Sequence, residues 1–291
     1  MKNTLPTHHW ICRRYLHPDH AEKWIHTLPP AHQLKITYTH SPPTPRARVD
    51  FYAPSYRAAY AFKKKHGGRI LRLSSLAWSP NPAPTDPPLR ATRRLAICST
   101  PQQLHHWQRK LNPSQLILIT HSLAFGTGHH PTTALCLRAL QTIATRQRKS
   151  PSQPPPAPCI DIGTGSGILA IAAARLGFPD VHALDHDTTA LRIARYHARI
   201  NHTTIRFIHA DITRYPLPPA SYSLIIANLY SALLTVAAPR ILQALAPKGY
   251  LILSGIRTED ENEIRHAFAS VPFIHRSQKE NWLCLIAQAA F

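Results

Sequence analysis

The sequence predicts an α/β protein: a doubly wound sheet of seven strands, mixed in direction, preceded by a small α+β ferredoxin-like domain. Three observations carry this. From residue 159 onward strand and helix patterns alternate with little chain between them. Residues 9–73 instead follow a strand-helix-strand-strand-helix-strand order. Between the two parts lies WSPNPAPTDPPLR, residues 78–90, too rich in proline to be a helix or a central strand.

In the front part, residues 10–15 read as a strand, 18–28 as a short helix, and 34–39 and 47–52 as strands. A helix over 55–66 is stopped by Gly67 and Gly68, and 69–73 is the fourth strand. That is the split βαβ order. After the proline-rich stretch come two short strands near 95–98 and 116–120 with a helix between them. The loop AFGTGHHPTT, residues 124–133, then leads into a helix over 132–145 that KSPSQPPPAP at 149–158 ends. In the rear part, strands at 159–162, 181–184, 205–210, 223–227 and 250–254 alternate with helices at 167–176, 188–200 and 232–245, and a helix at 259–269 follows. The last strands, 273–277 and 282–287, are joined by the turn QKEN, so they form an antiparallel hairpin. The expected division is 1–77 as a basic recognition domain, 78–115 as a linker region and 116–291 as the main domain.

Composition narrows the class. A chain of 291 residues with 44% hydrophobic content can bury an ordinary core. The start, MKNTLPTHHW, lacks the apolar run of a signal peptide and no apolar run approaches a membrane span. A cytoplasmic location, no membrane contact and a monomer are expected. Five scattered cysteines without a C-x-x-C pair read as reduced, buried thiols. The adjacent His129 and His130 have no third ligand nearby, so no metal is expected. The net charge of +20 is uneven: residues 1–150 hold 22 Lys+Arg against 4 Asp+Glu, and residues 151–291 hold 12 against 10. A front half of +18 favours polyanions, RNA above all, or belongs to a chain rich in Arg, His and Pro throughout.

Glycine points to the site. The chain has only ten, and five of them lie in AFGTGHHPTT and in DIGTGSG, residues 161–167. In a doubly wound sheet, ligands bind beyond the carboxyl ends of the strands, where the strand order reverses. There Asp161 precedes a loop in which Gly163 and Gly165 let backbone N–H groups approach a ligand. Asp185, 22 residues after Gly163, stands where a carboxylate would hold the two ribose hydroxyls of an adenosine. Asp211 ends the next strand and could accept from an adenine amino group. Asn228 ends the fourth. Taken singly, the glycine loop is a tight turn, the two aspartates are caps and Asn228 starts a helix; taken together they describe a nucleoside site. A nicotinamide site would prefer G-x-G-x-x-G, whereas this loop is G-x-G-x-G. That spacing, the acid before it and the closing hairpin are similar to class I S-adenosylmethionine-dependent methyltransferases, which are Rossmann-like.

The segments AFGTGHHPTTALCL, DIGTGSGILAIAAARLG, Asp185 with Asp187, Asn228 and LSGI at residues 253–256 resemble the PrmA family. The resemblance implies methyl transfer from S-adenosyl-L-methionine to amino groups, lysine side chains and an N-terminal amine, of a stalk protein of the large ribosomal subunit. It implies that Thr133, Gly163, Asp185 and Asn228 contact the methyl donor, that Phe125, Gly126, Thr127 and Gly128 fold over it, and that ribosomal protein is the partner. Asn228 is assigned the orientation of the amine. The chain departs from the family at His121-Ser122-Leu123, where Pro-Gly is frequent, and at His129, where Thr is. Two other readings stand beside it. Asn228-Leu229-Tyr230 is similar to the N-P-P-Y motif of adenine N-methyltransferases, and the basic residues 1–150 suit a silent protein docked on ribosomal RNA.

Overall fold

The computed structural model describes residues 9–17, 20–21, 24–25, 27–28, 36–39, 46–53, 55–73, 85, 87–120, 130–149 and 158–290. It divides the chain into two compact units, Met1–Asn81 and Pro82–Phe291.

The front unit holds β1 (His9–Leu16), β2 (Ile36–Thr39), β3 (Ala47–Ala53), α1 (Tyr56–His66) and β4 (Arg69–Leu73). Its sheet is antiparallel with the order β2-β3-β1-β4. Thus β3 lies between β1 and β2, and β1 between β3 and β4, which is the interleaving a split βαβ order describes. Of the expected helix over 18–28, residues 18–19, 22–23 and 26 lie outside the described residues; His20, Ala21, Trp24 and Ile25 are helical, the Ala21 N–H donating to the His17 carbonyl at 2.9 Å. Ser55 caps α1, its hydroxyl accepting from the Ala58 N–H at 3.2 Å, and Gly67 ends it at φ +74°, a conformation that suits glycine. The Phe62 ring stacks on Phe51 at 3.9 Å between centroids. Asp50 is buried but paired, accepting from Arg13 Nε at 2.7 Å and from its terminal nitrogen at 2.9 Å, the fork geometry that a buried carboxylate needs.

The rear unit begins earlier than the sequence suggests. β5 (Leu89–Arg90), β6 (Ala96–Cys98), α2 (Pro101–Trp107) and β7 (Leu116–Leu118) build a three-stranded sheet in the order β5-β6-β7. The stretch expected to be a linker, 78–115, is therefore folded from Pro87 onward. The reason is burial: Leu95, Ile97 and Ile117 pack into the same core as Leu135 and Leu140 of α3 (Pro131–Lys149), and each such side chain contributes roughly 1.5–3 kcal/mol. Prolines 87 and 88 sit just before β5, where no ladder donor is needed.

The main sheet comprises β8 (Cys159–Ile162), β9 (Val181–Asp185), β10 (Arg206–His209), β11 (Tyr222–Asn228), β12 (Leu245–Arg257), β13 (Phe273–Lys279) and β14 (Trp282–Gln288). Their order is β10-β9-β8-β11-β12-β14-β13. The first five run parallel, and β14 is antiparallel to both β12 and β13. Helices α4 (Ile168–Leu176), α5 (Thr188–Ile200), α6 (Ser231–Ala244) and α7 (Glu261–Ala267) complete the unit. Alternate residues of β11 enter opposite cores: Leu224 and Ile226 join α3 and α4, while Ile225 and Ala227 join α6 and α7. Burial on both faces explains why the inner strands β8, β9 and β11 read as near-continuous apolar runs. The expected helix over 259–269 opens with a 3-10 turn, Thr258–Asp260, before α7. No helix among the described residues is long and apolar enough to cross a membrane, and all five cysteines are buried and free.

Candidate active site

The chain order reverses between β8 and β11: from β8 it proceeds outward through β9 and β10, then returns to β11 on the other side. This switch point leaves a crevice at the strand ends. β8 runs into the glycine loop, where Gly163, Gly165 and Gly167 adopt φ of +72°, +54° and +83°. The left-handed region explains the glycines. A Cβ at Gly163 would also collide with the Leu229 side chain, and one at Gly167 would stand 3.0 Å from the Ala194 Cβ.

Beneath the loop, Asp161 is buried and acts as its anchor. Its Oδ2 accepts from Thr164 Oγ1 at 2.6 Å and from the Ala170 N–H at 3.2 Å, while Oδ1 has no partner. Burial raises this carboxyl to about 7, against the opposing pull of those two hydrogen bonds and with a small addition from the Asp185 charge. From behind, the fully buried His197 of α5 reaches the loop, its Nδ1 lying 2.8 Å from the Ser166 carbonyl and its Nε2 3.1 Å from Thr120 Oγ1. A carbonyl can only accept, so the proton belongs on Nδ1. One turn on, the Asn201 amide accepts from the Leu118 N–H at 2.7 Å and donates to the Leu118 carbonyl at 2.8 Å.

Asp185 ends β9. Its Oδ2 accepts from the Gly165 N–H at 2.9 Å and its Oδ1 from the Asp187 N–H at 3.0 Å, so the carboxylate is held rigidly at the crevice wall. Asp187 in turn caps α5, accepting from the Thr189 N–H at 2.7 Å. Across the crevice, Asn228 ends β11, and its Oδ1 is buried without a partner. The next residue passes close to β12: Leu229 N–H donates to the Ser254 carbonyl at 3.0 Å, and a Cβ at Gly255, φ +82°, would strike the Leu229 backbone. His130 and Thr132, at the start of α3, close another side. The His130 Nδ1 lies 2.8 Å from Thr132 Oγ1, and its ring meets Trp282 edge-on at 5.1 Å. Burial lowers the His130 imidazole below its ordinary value, partly opposed by Glu280.

The result is a cleft of about 480 Å³. Gly163, Gly165, Asp185 and Asn228 line it together, with Leu229, Leu233 and Trp282 as apolar wall. Asp161 and Thr133 stand behind that lining: both are buried, and the Thr133 hydroxyl has no partner. Asp211 is not brought to the cleft. It is exposed and accepts from the Thr213 N–H and hydroxyl at 2.9 and 2.8 Å, which makes it a local turn cap. Phe125, Gly126, Thr127 and Gly128 lie outside the described residues. Sequence reasoning missed His130, His186, Leu233 and Trp282 as wall residues. Gly255 was within reach, since a scarce glycine inside a strand pattern marks a close backbone approach; Trp282 carries no such signal.

This wall suits an adenosine-based sulfonium. A rigid carboxylate stands at the cleft wall, a glycine loop admits backbone contact, and two buried oxygens, of Thr133 and Asn228, are unsatisfied within the protein, which is costly unless a ligand or water completes them. Five parallel strands, a reversal beside β8 and an inserted antiparallel β14 define the class I methyltransferase fold. The crystal structure of a ribosomal protein L11 methylase from Lactobacillus delbrueckii subsp. bulgaricus shares that fold with a TM-score of 0.53 and 24% identity, over 71% of this chain and 100% of that one. Among curated proteins, the ribosomal protein L11 methyltransferase of Citrifermentans bemidjiense is 36% identical over 200 residues, 68% of this chain and 62% of that protein. That of Geotalea uraniireducens is 32% identical over 243 residues, 81% and 75% respectively. The chain thus spans under two thirds of the length of the first of these relatives. Residues 58–290 match the family described as ribosomal protein L11 methyltransferase (PrmA), and the chain belongs to that family.

Proposed function

We propose that this protein transfers methyl groups from S-adenosyl-L-methionine to amino groups, lysine side chains and an N-terminal amine, of a ribosomal large-subunit protein, acting in the cytoplasm as a monomer. The observation that carries the reading is the convergence of Gly163, Gly165, Asp185 and Asn228 on one cleft at the switch point. The family relatives are named for the same substrate. In this reading Asp185 accepts from the ribose hydroxyls, Gly163 and Gly165 let the backbone approach the donor, Thr133 contacts it, and Asp161 holds the glycine loop from beneath. Asp211 drops out because it does not line the cleft.

When bound, the donor supplies an electrophilic methyl on sulfur. The chain's own residues must present a neutral amine to it in line. A lysine with an ordinary pKa of about 10.4 costs about 4.6 kcal/mol to deprotonate at pH 7, and an apolar wall of Leu229, Leu233 and Trp282 lowers that cost by disfavouring the ammonium. Asn228 orients the amine through its free Oδ1; alignment and water exclusion supply the rest. Labelled donor incubated with a ribosomal extract should leave label that protease removes and ribonuclease does not. Asn228→Ala should lower turnover by at least about tenfold, one charge-assisted hydrogen bond's worth, with donor binding retained; unchanged turnover would remove Asn228 from this role. A second reading, adenine methylation in nucleic acid, is favoured by Tyr230, which is 65% exposed at the cleft and suited to stacking on a flipped base. Label lost to ribonuclease would select it.

A further inference from the structure

The basic character of the chain has a focus on the rear unit. Residues 87–160 contain nine Lys+Arg and no Asp or Glu. Three of these arginines, Arg90, Arg93 and Arg138, line an open groove of about 590 Å³ together with Thr92, Gln141 and Thr142. One wall is the turn after β5 and the other is α3. The walls are tied: Gln141 Oε1 accepts from the Arg94 N–H at 2.9 Å, the Thr92 hydroxyl accepts from the N–H groups of Arg94 and Leu95 at 3.2 and 3.1 Å, and the Ala91 and Thr92 N–H groups both reach the Leu95 carbonyl at 3.1 Å. All three arginines are exposed, and among the described residues none forms an ion pair. Among the described residues, the one hydrogen bond that these guanidiniums make within the protein is from Arg90 to the Arg93 carbonyl at 3.5 Å, a long and weak one.

A rigid turn that gathers like charges without a carboxylate is destabilising unless an anion neutralises them. We propose that this groove binds the phosphate backbone of RNA, with Arg90, Arg93 and Arg138 as its phosphate ligands. Arginine forks match phosphate oxygens in pairs, and the neutral donors of Thr92 and Gln141 suit sugar and phosphate contacts that position a strand without reading its bases. Arg138 lies six residues along α3 from Thr132, roughly 9 Å of helical rise. The choice of RNA over an acidic protein rests on the ribosomal substrate proposed above; the groove itself does not.

The test uses the full chain, a short fluorescein-labelled RNA hairpin and, separately, a labelled polyglutamate peptide, with anisotropy read between about 50 and 200 mM salt. The variant is Arg90→Gln/Arg93→Gln/Arg138→Gln. RNA binding should weaken about tenfold or more at low salt, and the slope of log affinity against log salt should fall by roughly 2–3, about one per lost phosphate contact. The Arg→Lys triple, which keeps charge and stem, should recover most of the slope. Unchanged RNA affinity and slope would overturn the inference, as would loss of polyglutamate binding with RNA binding intact. Donor binding and methyl transfer to isolated ribosomal protein should match the parent, which also shows that the variant is folded. Parent-like transfer with no RNA effect sinks this inference alone; absent transfer in the parent with the RNA effect present sinks the proposed reaction alone.

Discussion

Replacing Asp161 with Asn should make the protein more stable at neutral pH, and the gain should vanish in acid. In the folded state burial holds the carboxyl at about 7 instead of its ordinary 3.8. Between those values the native state binds a proton that the unfolded chain has released, so stability falls as pH rises. The gap of about three pH units, at ~1.36 kcal/mol each, is on the order of 4 kcal/mol. It is absent below the unfolded value, develops from about pH 4 upward and is complete once pH passes about 7. Roughly two thirds of it, near 3 kcal/mol, lies between about pH 5 and 8. Asn at this position keeps an acceptor for Thr164 Oγ1 and the Ala170 N–H and never ionises. Urea unfolding of parent and Asp161→Asn at a series of pH values reads the difference directly, because the remaining groups are common to both. Two stability curves that run parallel across this range would show that Asp161 is not held protonated by its surroundings, and the argument would fail.

Asp185→Ala removes the acceptor proposed for the ribose hydroxyls and the tie to the Gly165 N–H, so donor affinity by calorimetry should fall on the order of a hundredfold, about 3 kcal/mol; an unchanged affinity would detach Asp185 from the donor. Gly255→Ala should cost about 2–5 kcal/mol in unfolding experiments, from a left-handed φ and a clash with backbone that cannot move. Gly163→Ala meets only the Leu229 side chain, so adding Leu229→Ala should recover much of its loss and none of that at Gly255; equal recovery at both would contradict the geometry. His197→Leu strands the Ser166 carbonyl and the Thr120 hydroxyl and should destabilise by roughly 1–3 kcal/mol per stranded group, with His197→Gln milder than His197→Leu.

The inner strands of the main sheet were legible because they are buried on both faces and separated by glycine, proline and caps. The cleft residues Gly163, Gly165, Asp185 and Asn228 were legible for a related reason: each sits where a strand pattern stops, and strand ends at a reversal are where such sheets bind. Asp211 obeyed the same rule and misled. Its partner is two residues away, and a D-x-T turn cap engages one carboxylate oxygen locally whatever strand precedes it. β5 was hidden by a different effect, since two residues after a proline pair carry no periodicity, and their strand exists only because Leu95 and Ile97 give it a core to join. Trp282 lies 152 residues beyond His130, and their contact depends on the antiparallel insertion of β14, a tertiary fact that no local pattern encodes.

The side chain of Asn201 offers Leu118 the donor and acceptor that a neighbouring peptide would. β7 is the outermost strand of its small sheet, so a single amide imitates the missing fourth strand and terminates growth there. The molecule thereby shields an edge that would otherwise recruit foreign chains. Asn201→Leu would uncover it, and self-association rising with concentration would be the visible sign.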